Sequence, residues 1–175
     1  MTSVTYANVT LIGLLVPLRG KPDMAEKLIE RSARSTAGVV EHVQTATFPR
    51  RVQIAPEARR FVTEAIGQHP AADDAVLLAG ELVANSLLHA HDAATVTVTV
   101  AVSETFIRID VCDDGRIGIP HWRQADGDAE SGRGFHLVNQ IAERWGFARE
   151  RARTCCWVEV AARPAPTLTE ERTAS

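Results

Sequence analysis

Three short stretches of the chain hold residue types whose spacing suits chemistry. In ELVANSLLHA, Glu81, Asn85 and His89 recur every four residues, so a helix would set a carboxylate, an amide and an imidazole on one stripe. In DVCDDGRIGIP, Asp110, Asp113 and Asp114 lead into Gly115 and Gly118. A carboxylate at a strand end can accept a hydrogen bond from an amino group, and glycines beside it let a planar ligand approach the backbone. In SGRGF, Gly132 and Gly134 flank Arg133 just before a helical pattern, where the unpaired N–H groups of a helix start can converge on phosphate oxygens. Taken singly, each stretch has a plain alternative. The first also reads as an amphipathic surface helix with His89 as a polar residue near its end, and the second as a solvated Asp-Gly turn. The third lacks the length of a dinucleotide fingerprint and the Gly-Lys-Ser/Thr ending of a P-loop.

The elements that must position these stretches follow from hydrophobic periodicity. Val9 to Leu18 reads as a strand, Met24 to Ser35 as a helix, and Val39, Val40 and Val43 begin a second strand before Pro49. Arg51 to Ala55 is a short strand candidate. Pro56-Glu57 then opens a helix carrying Ala58, Phe61, Val62, Ala65 and Ile66 until Gly67 and Pro70 stop it. Asp73 and Asp74 open the next, with Val76, Leu77, Gly80, Val83, Ala84, Leu87 and Leu88 as its apolar positions, ending near His89. Thr95 to Val102 and Phe106 to Val111 alternate with period two on either side of Ser103-Glu104, an antiparallel hairpin. Asp113 to Arg133 is glycine-rich and aperiodic, a long loop or lid. Phe135, Leu137, Val138, Ile141, Ala142 and Trp145 mark a helix ended by Gly146, and Cys156 to Val160 is the last strand. The order predicts a two-layer α/β sandwich, helices on one face of a mostly antiparallel mixed sheet. Residues 1–49 form a strand-helix extension, 50–162 the main domain and 163–175 a polar tail.

Composition removes several function classes. A chain of 175 residues with 45% hydrophobic residues can bury a core without a disulfide or structural metal, so disorder is not its main state. A formal net charge of −3 gives no overall basic field for nucleic acid. Cys112, Cys155 and Cys156 are odd in number and have no metal-ligand spacing, which suits burial in a reducing compartment. His42, His69, His91, His121 and His136 make no zinc pattern. The apolar run from Val9 to Leu18 is interrupted by Thr10 and Pro17 and is too short to span a bilayer, so a soluble cytoplasmic protein without a membrane partner is expected. Trp122 falls in the lid, as a partner contact or a cover over a ligand, and Arg50, Arg51, Arg59 and Arg60 form a local basic patch, a solvated face or a contact for an acidic partner.

In order, ELVANSLLH, then VCDDGRIGIP after a hairpin, then SGRGFHLV before a helix resemble the Bergerat ATP-binding fold of histidine kinases and gyrase-type ATPases. RRFVTEAIGQH, DDAVLLAGELVANSLLHAH, ESGRGFHLVNQIAERWGF and CCWVEV resemble most the small actinobacterial anti-sigma-factor serine/threonine kinases, from Arg50 to about Ala162. The resemblance implies ATP and Mg2+, with Asn85 as a metal ligand through its amide oxygen, Glu81 as the general base, and His89 facing the phosphate side. It implies Asp113, in the Asp-x-Gly register with Gly115, as acceptor for the adenine amine. The glycine expected two residues after Gly115 is replaced by Ile117, with Gly118 one place late. Gly132 and Gly134 would bring the helix start to the phosphates, with Arg133 adding charge. The implied activity is transfer of the γ-phosphoryl group to a serine of an antagonist protein by a homodimeric anti-sigma factor that binds a sigma factor and does not itself contact DNA. The alternative is a nucleotide-binding regulatory module with little or no transfer, and a third possibility is an assembly protein with an empty pocket. VTLIGLLVPLRGKPDMAEKLIE resembles the opening strand and helix of ferredoxin-like monooxygenase-type domains, though only that half is present, and padding of the sheet or dimer edge is its expected role.

Overall fold

The computed structural model describes residues 5–10, 40–51, 53–90, 92–115, 133–150 and 153–162. Strands β1 (Thr5–Thr10), β2 (Val40–Pro49), β3 (Thr95–Ser103), β4 (Phe106–Asp113), β5 (Arg144–Glu150) and β6 (Arg153–Ala161) form one six-stranded sheet, ordered β1-β2-β3-β4-β6-β5. All neighbouring strands are antiparallel. The mixed character expected of the sheet is therefore absent among the described strands. Only two residues separate β3 from β4 and β5 from β6, whereas a parallel neighbour needs a long crossover. Strand β2, from the expected extension, pairs along its length with β3 of the expected main domain.

Helices α1 (Ile54–Ile66), α2 (Ala72–His89) and α3 (Arg133–Ile141) cover one face of this sheet. Helix α1 packs on β2 and β3, α2 lies over β4 and β6, and α3 sits beside α2. Alternate residues of the strands supply the core between the layers: Ala46 and Phe48, then Val96, Val98, Val100 and Val102, then Ile107, Ile109 and Val111. Phe61 of α1 meets Phe48 edge to face at 6.2 Å between ring centroids. His42 donates from Nε2 to the Ala65 carbonyl at 2.7 Å, and His69 from Nε2 to the Ser103 carbonyl at 3.0 Å. Both imidazoles thus serve as ties between sheet and helices. Among the described residues, no helix is long and apolar enough to cross a membrane.

The other face of the sheet is also built. Val40, Val43, Ala101 and Phe106 form a small apolar cluster, helped by a register shift between Val40 and His42 that turns Val40 to the side of Val43. Hydroxyls of Thr45 and Thr99, and of Thr47 and Thr97, pair across β2 and β3 at 3.0 and 3.1 Å. Arg108 donates to both oxygens of Asp110 at 2.9 Å and to Glu159 Oε1 at 3.0 Å, and its guanidinium lies 4.2 Å from the centre of the Trp157 ring. Arg144 reaches Glu159 Oε2 at 2.6 Å. Burial opposes charge on Arg108, but hydrogen bonds and attraction from Asp110 and then Glu159 prevail and raise its proton affinity. Asp110 is thereby committed to this network and faces away from the helices.

Four sequence expectations shift. Arg51 to Ala55 is not a strand: Ile54 is fully buried and opens α1, because Pro56 fits anywhere in a first turn whose N–H groups have no helical partner. Arg51 then clasps both oxygens of Glu57 at 2.8 Å. The last helix ends at Ile141, and Trp145 and Gly146 belong to β5, an edge strand the periodicity conceals. The buried stripe of α2 is Ala75, Leu78, Ala79, Leu82, Val83 and Ser86, while Leu77 and Leu88 are exposed. Apolar residues surround that helix, so periodicity alone does not choose its inner face. The first strand spans Thr5–Thr10 rather than beginning at Val9. Residues 11–18 of the expected first strand, the expected helix Met24 to Ser35, Trp122 and residues 116–132 of the expected loop or lid, and the tail from Pro164 lie outside the described residues.

Candidate functional site

Helix α2 places Glu81 and Asn85 half-buried and His89 exposed, on one flank of its buried stripe. The other flank carries Gly80, over which the Arg59 side chain of α1 packs; a Cβ there would lie 3.4 Å from Arg59 Cδ. The polar stripe therefore lies on the flank turned away from that contact. His89 stands in the last turn of α2.

Asp113, the last residue of β4, pairs with Val96 and shares its helix-side orientation. Its carboxylate is gripped at both oxygens: Ser86 of α2 donates its hydroxyl to Oδ2 at 3.1 Å, and the Gly115 N–H donates to Oδ1 at 3.1 Å. Burial pushes the Asp113 carboxyl above its ordinary proton affinity; the Gly115 and Ser86 hydrogen bonds oppose this in part, and the charges of Asp114 and Asp92 add to it. Glycine suits this close approach at position 115, since a Cβ would stand 3.0 Å from both Ala90 Cβ and Asp92 Oδ1 and would press on these neighbours.

Asp114 plays a different part. Its Oδ1 accepts the N–H groups of Ala94 and Thr95 at 2.8 and 2.9 Å, and its Oδ2 accepts the Thr95 hydroxyl at 3.1 Å. Burial alone would raise its proton affinity, but these hydrogen bonds prevail and hold it below the usual range. Asp114 fastens the start of β3; Asp113 faces the helices. Gly118 and Ile117 lie outside the described residues, as does Gly132. Arg133 and Gly134 lie in the first turn of α3, which packs beside α2.

Ser86 is the residue that sequence reasoning missed. It is the one polar member of the buried stripe of α2, a face that the sequence periodicity does not pick out, so no sequence signal marked it. The cysteines also depart from expectation: Cys112 and Cys155 stand opposite each other on β4 and β6 and form a disulfide, with their Cα atoms 4.0 Å apart. Cys156 points to the helix side, where burial, and then the Asp113 charge, push its thiol up to about 12. A thiol so held is a poor nucleophile at neutral pH.

Residues 48–160 match the family described as the histidine kinase-like ATPase domain. The chain belongs to that family. A comparison with curated proteins finds no match. Among solved structures, the histidine kinase domain of the blue-light activated histidine kinase from Erythrobacter litoralis is similar at 17% identity over 78% of this chain and 85% of that one, with a TM-score of 0.41.

Family membership implies ATP, typically with Mg2+, and the residues present fit both. The doubly held Asp113 carboxylate is an acceptor aimed at the helix side, beside a backbone left bare by Gly115. Among the described residues no cluster of three His, Cys, Asp or Glu side chains could hold a metal ion. An Mg2+ ion at Asn85 would thus take its other oxygens from phosphate and water, as that cation ordinarily does.

Proposed function

We propose that this chain is an ATP-dependent serine/threonine protein kinase that acts as an anti-sigma factor. One observation carries the reading: Ser86, adjacent in sequence to Asn85, hydrogen-bonds Asp113. Two stretches of the chain that are far apart in sequence, one suited to a purine amine and one to phosphate chemistry, are thereby fixed to each other. The resemblance of Arg50 to Ala162 to anti-sigma-factor kinases supports the choice of a serine hydroxyl on an antagonist protein as acceptor, a sigma factor as the held partner, and a homodimer as the assembly.

In this mechanism the half-buried Glu81 takes the proton of the attacking hydroxyl. The hydroxyl oxygen forms a bond to the terminal phosphorus, and the bond from that phosphorus to ADP breaks with its electron pair leaving on ADP. Bound Mg2+ supplies charge neutralisation on the phosphate oxygens, and Asn85 would be its protein ligand. The phosphoserine product adds about 1.5 to 2 negative charges, which loosens a fitted interface and accounts for release of the modified antagonist.

The test is transfer of label from ATP to a cognate antagonist. Glu81→Gln is expected to lower transfer by about 10²- to 10⁴-fold while ATP affinity stays within a few-fold of the parent. Undiminished transfer by that variant would remove Glu81 from its role. Ile117, standing where the resemblance expects glycine, favours a second reading as a nucleotide-binding regulatory module. Tight ATP binding with no transfer to any antagonist would select it.

A further inference from the structure

Ser86 lies within ELVANSLLH but is given no role by the sequence resemblance, yet it is the one side chain of α2 seen to grip the strand-end carboxylate. Its surroundings define what it does. The hydroxyl is buried and has a single proton, which goes to Asp113 Oδ2. The other carboxylate oxygen is occupied by the Gly115 N–H. The Asp113 carboxylate is thus held in one orientation from two sides, one grip coming from the helix and one from its own chain. Remaining lone pairs on Asp113 and on Ser86 Oγ make this floor rich in acceptors, which complements a ligand edge that donates hydrogen bonds and disfavours one that does not.

From this geometry we infer that Ser86 is a positioning residue that confers selectivity for a 6-aminopurine nucleotide by orienting Asp113. The inference rests on the ATP-binding reading and adds to it a residue that neither touches phosphate nor moves a proton in the reaction. The groups facing Asp113 are Ser86 from α2, Cys156 from β6, Asp92 from the segment before β3, and its neighbour Asp114. Ser86 and the Gly115 N–H favour the ionised carboxylate, whereas Asp92 and Asp114 oppose it.

The experiment compares ATP with purine riboside triphosphate, which lacks only the 6-amino group, for the parent chain and Ser86→Ala, by calorimetry across pH. The parent should prefer ATP. In Ser86→Ala, ATP should weaken by about tenfold while the deaminated analogue changes little, so that the preference collapses. The acid limb of ATP affinity should also move to higher pH, because the carboxylate has lost a donor that favours its ionised form. Equal weakening of both nucleotides with an unmoved acid limb would show that Ser86 serves packing alone and would overturn the inference. An unchanged preference in the variant would overturn it as well. If the parent binds neither nucleotide, the ATP-binding reading itself falls and takes the inference with it. A parent that binds both equally sinks the selectivity and leaves ATP binding standing.

Discussion

Asp113 turns its carboxylate under α2 while Asp114 turns back to fasten the start of β3, and their proton affinities move in opposite directions. That difference has consequences for stability. A carboxyl with a raised folded pKa contributes stability below its unfolded value and loses it as pH climbs through the folded value, so ionised Asp113 is a cost to the empty fold at neutral pH. Asp113→Asn should raise the melting temperature at pH 7, with the gain vanishing below the ordinary value of 3.8, while ATP affinity falls. For Asp114 the sign reverses: its contribution is present above the unfolded value and is lost as pH falls through the lowered folded value. Asp114→Asn should destabilise by about 1 kcal/mol at pH 7, and the difference should close in acid. Parallel melting curves over pH check both, and equal signs for the two variants would contradict the assignment of one carboxylate to binding and the other to structure.

Two glycines separate tolerance from close fit at the level of elements. Gly146 in β5 faces Trp157 of β6, and a Cβ there would stand 2.9 Å from the indole ring. Gly146→Ala should destabilise by about 1 to 3 kcal/mol as that ring is displaced. Gly80 in α2 meets only the flexible Arg59 side chain at 3.4 Å, so Gly80→Ala should gain about 0.5 to 1 kcal/mol from helix propensity. Denaturant melts of the two variants, moving in opposite directions, are the check. The same contrast explains what was legible beforehand. The β3–β4 hairpin announces itself because threonine and valine alternate along it, and the Glu81, Asn85, His89 stripe because three polar residues recur at one helical spacing. Strand β5 stays hidden because Trp145 continues the helical interval from Ile141, and its Gly146 reads as a stop rather than as room for a neighbouring ring. The inner face of α2 stays hidden because Leu77 and Leu88 are as apolar as the buried Leu78 and Leu82. Ser86 is invisible for a related reason: a hydroxyl in a helix has many uses, and its partner is 27 residues away on another element.

For the whole molecule, one covalent tie joins strands that hydrogen bonds already hold together. Cys112 and Cys155 close a loop with a sequence separation of 43, worth at most about 4 kcal/mol in the chain-entropy description. Thiol titration of the unfolded, unreduced chain should find one reactive group among its three cysteines, that of Cys156. Reduction should lower the melting temperature by several degrees, and a count of three thiols without reductant would exclude the bond.

Strands β3 and β4 occupy the middle of the sheet, and β4 is buried along its whole length on both faces. Their amides are therefore the last to meet heavy water, opening only when everything opens, whereas β1 and β5 form the borders. The carboxylate assigned to the purine is rooted at the end of this slowest-exchanging strand. Nucleotide binding then has little rigidity left to add at β4.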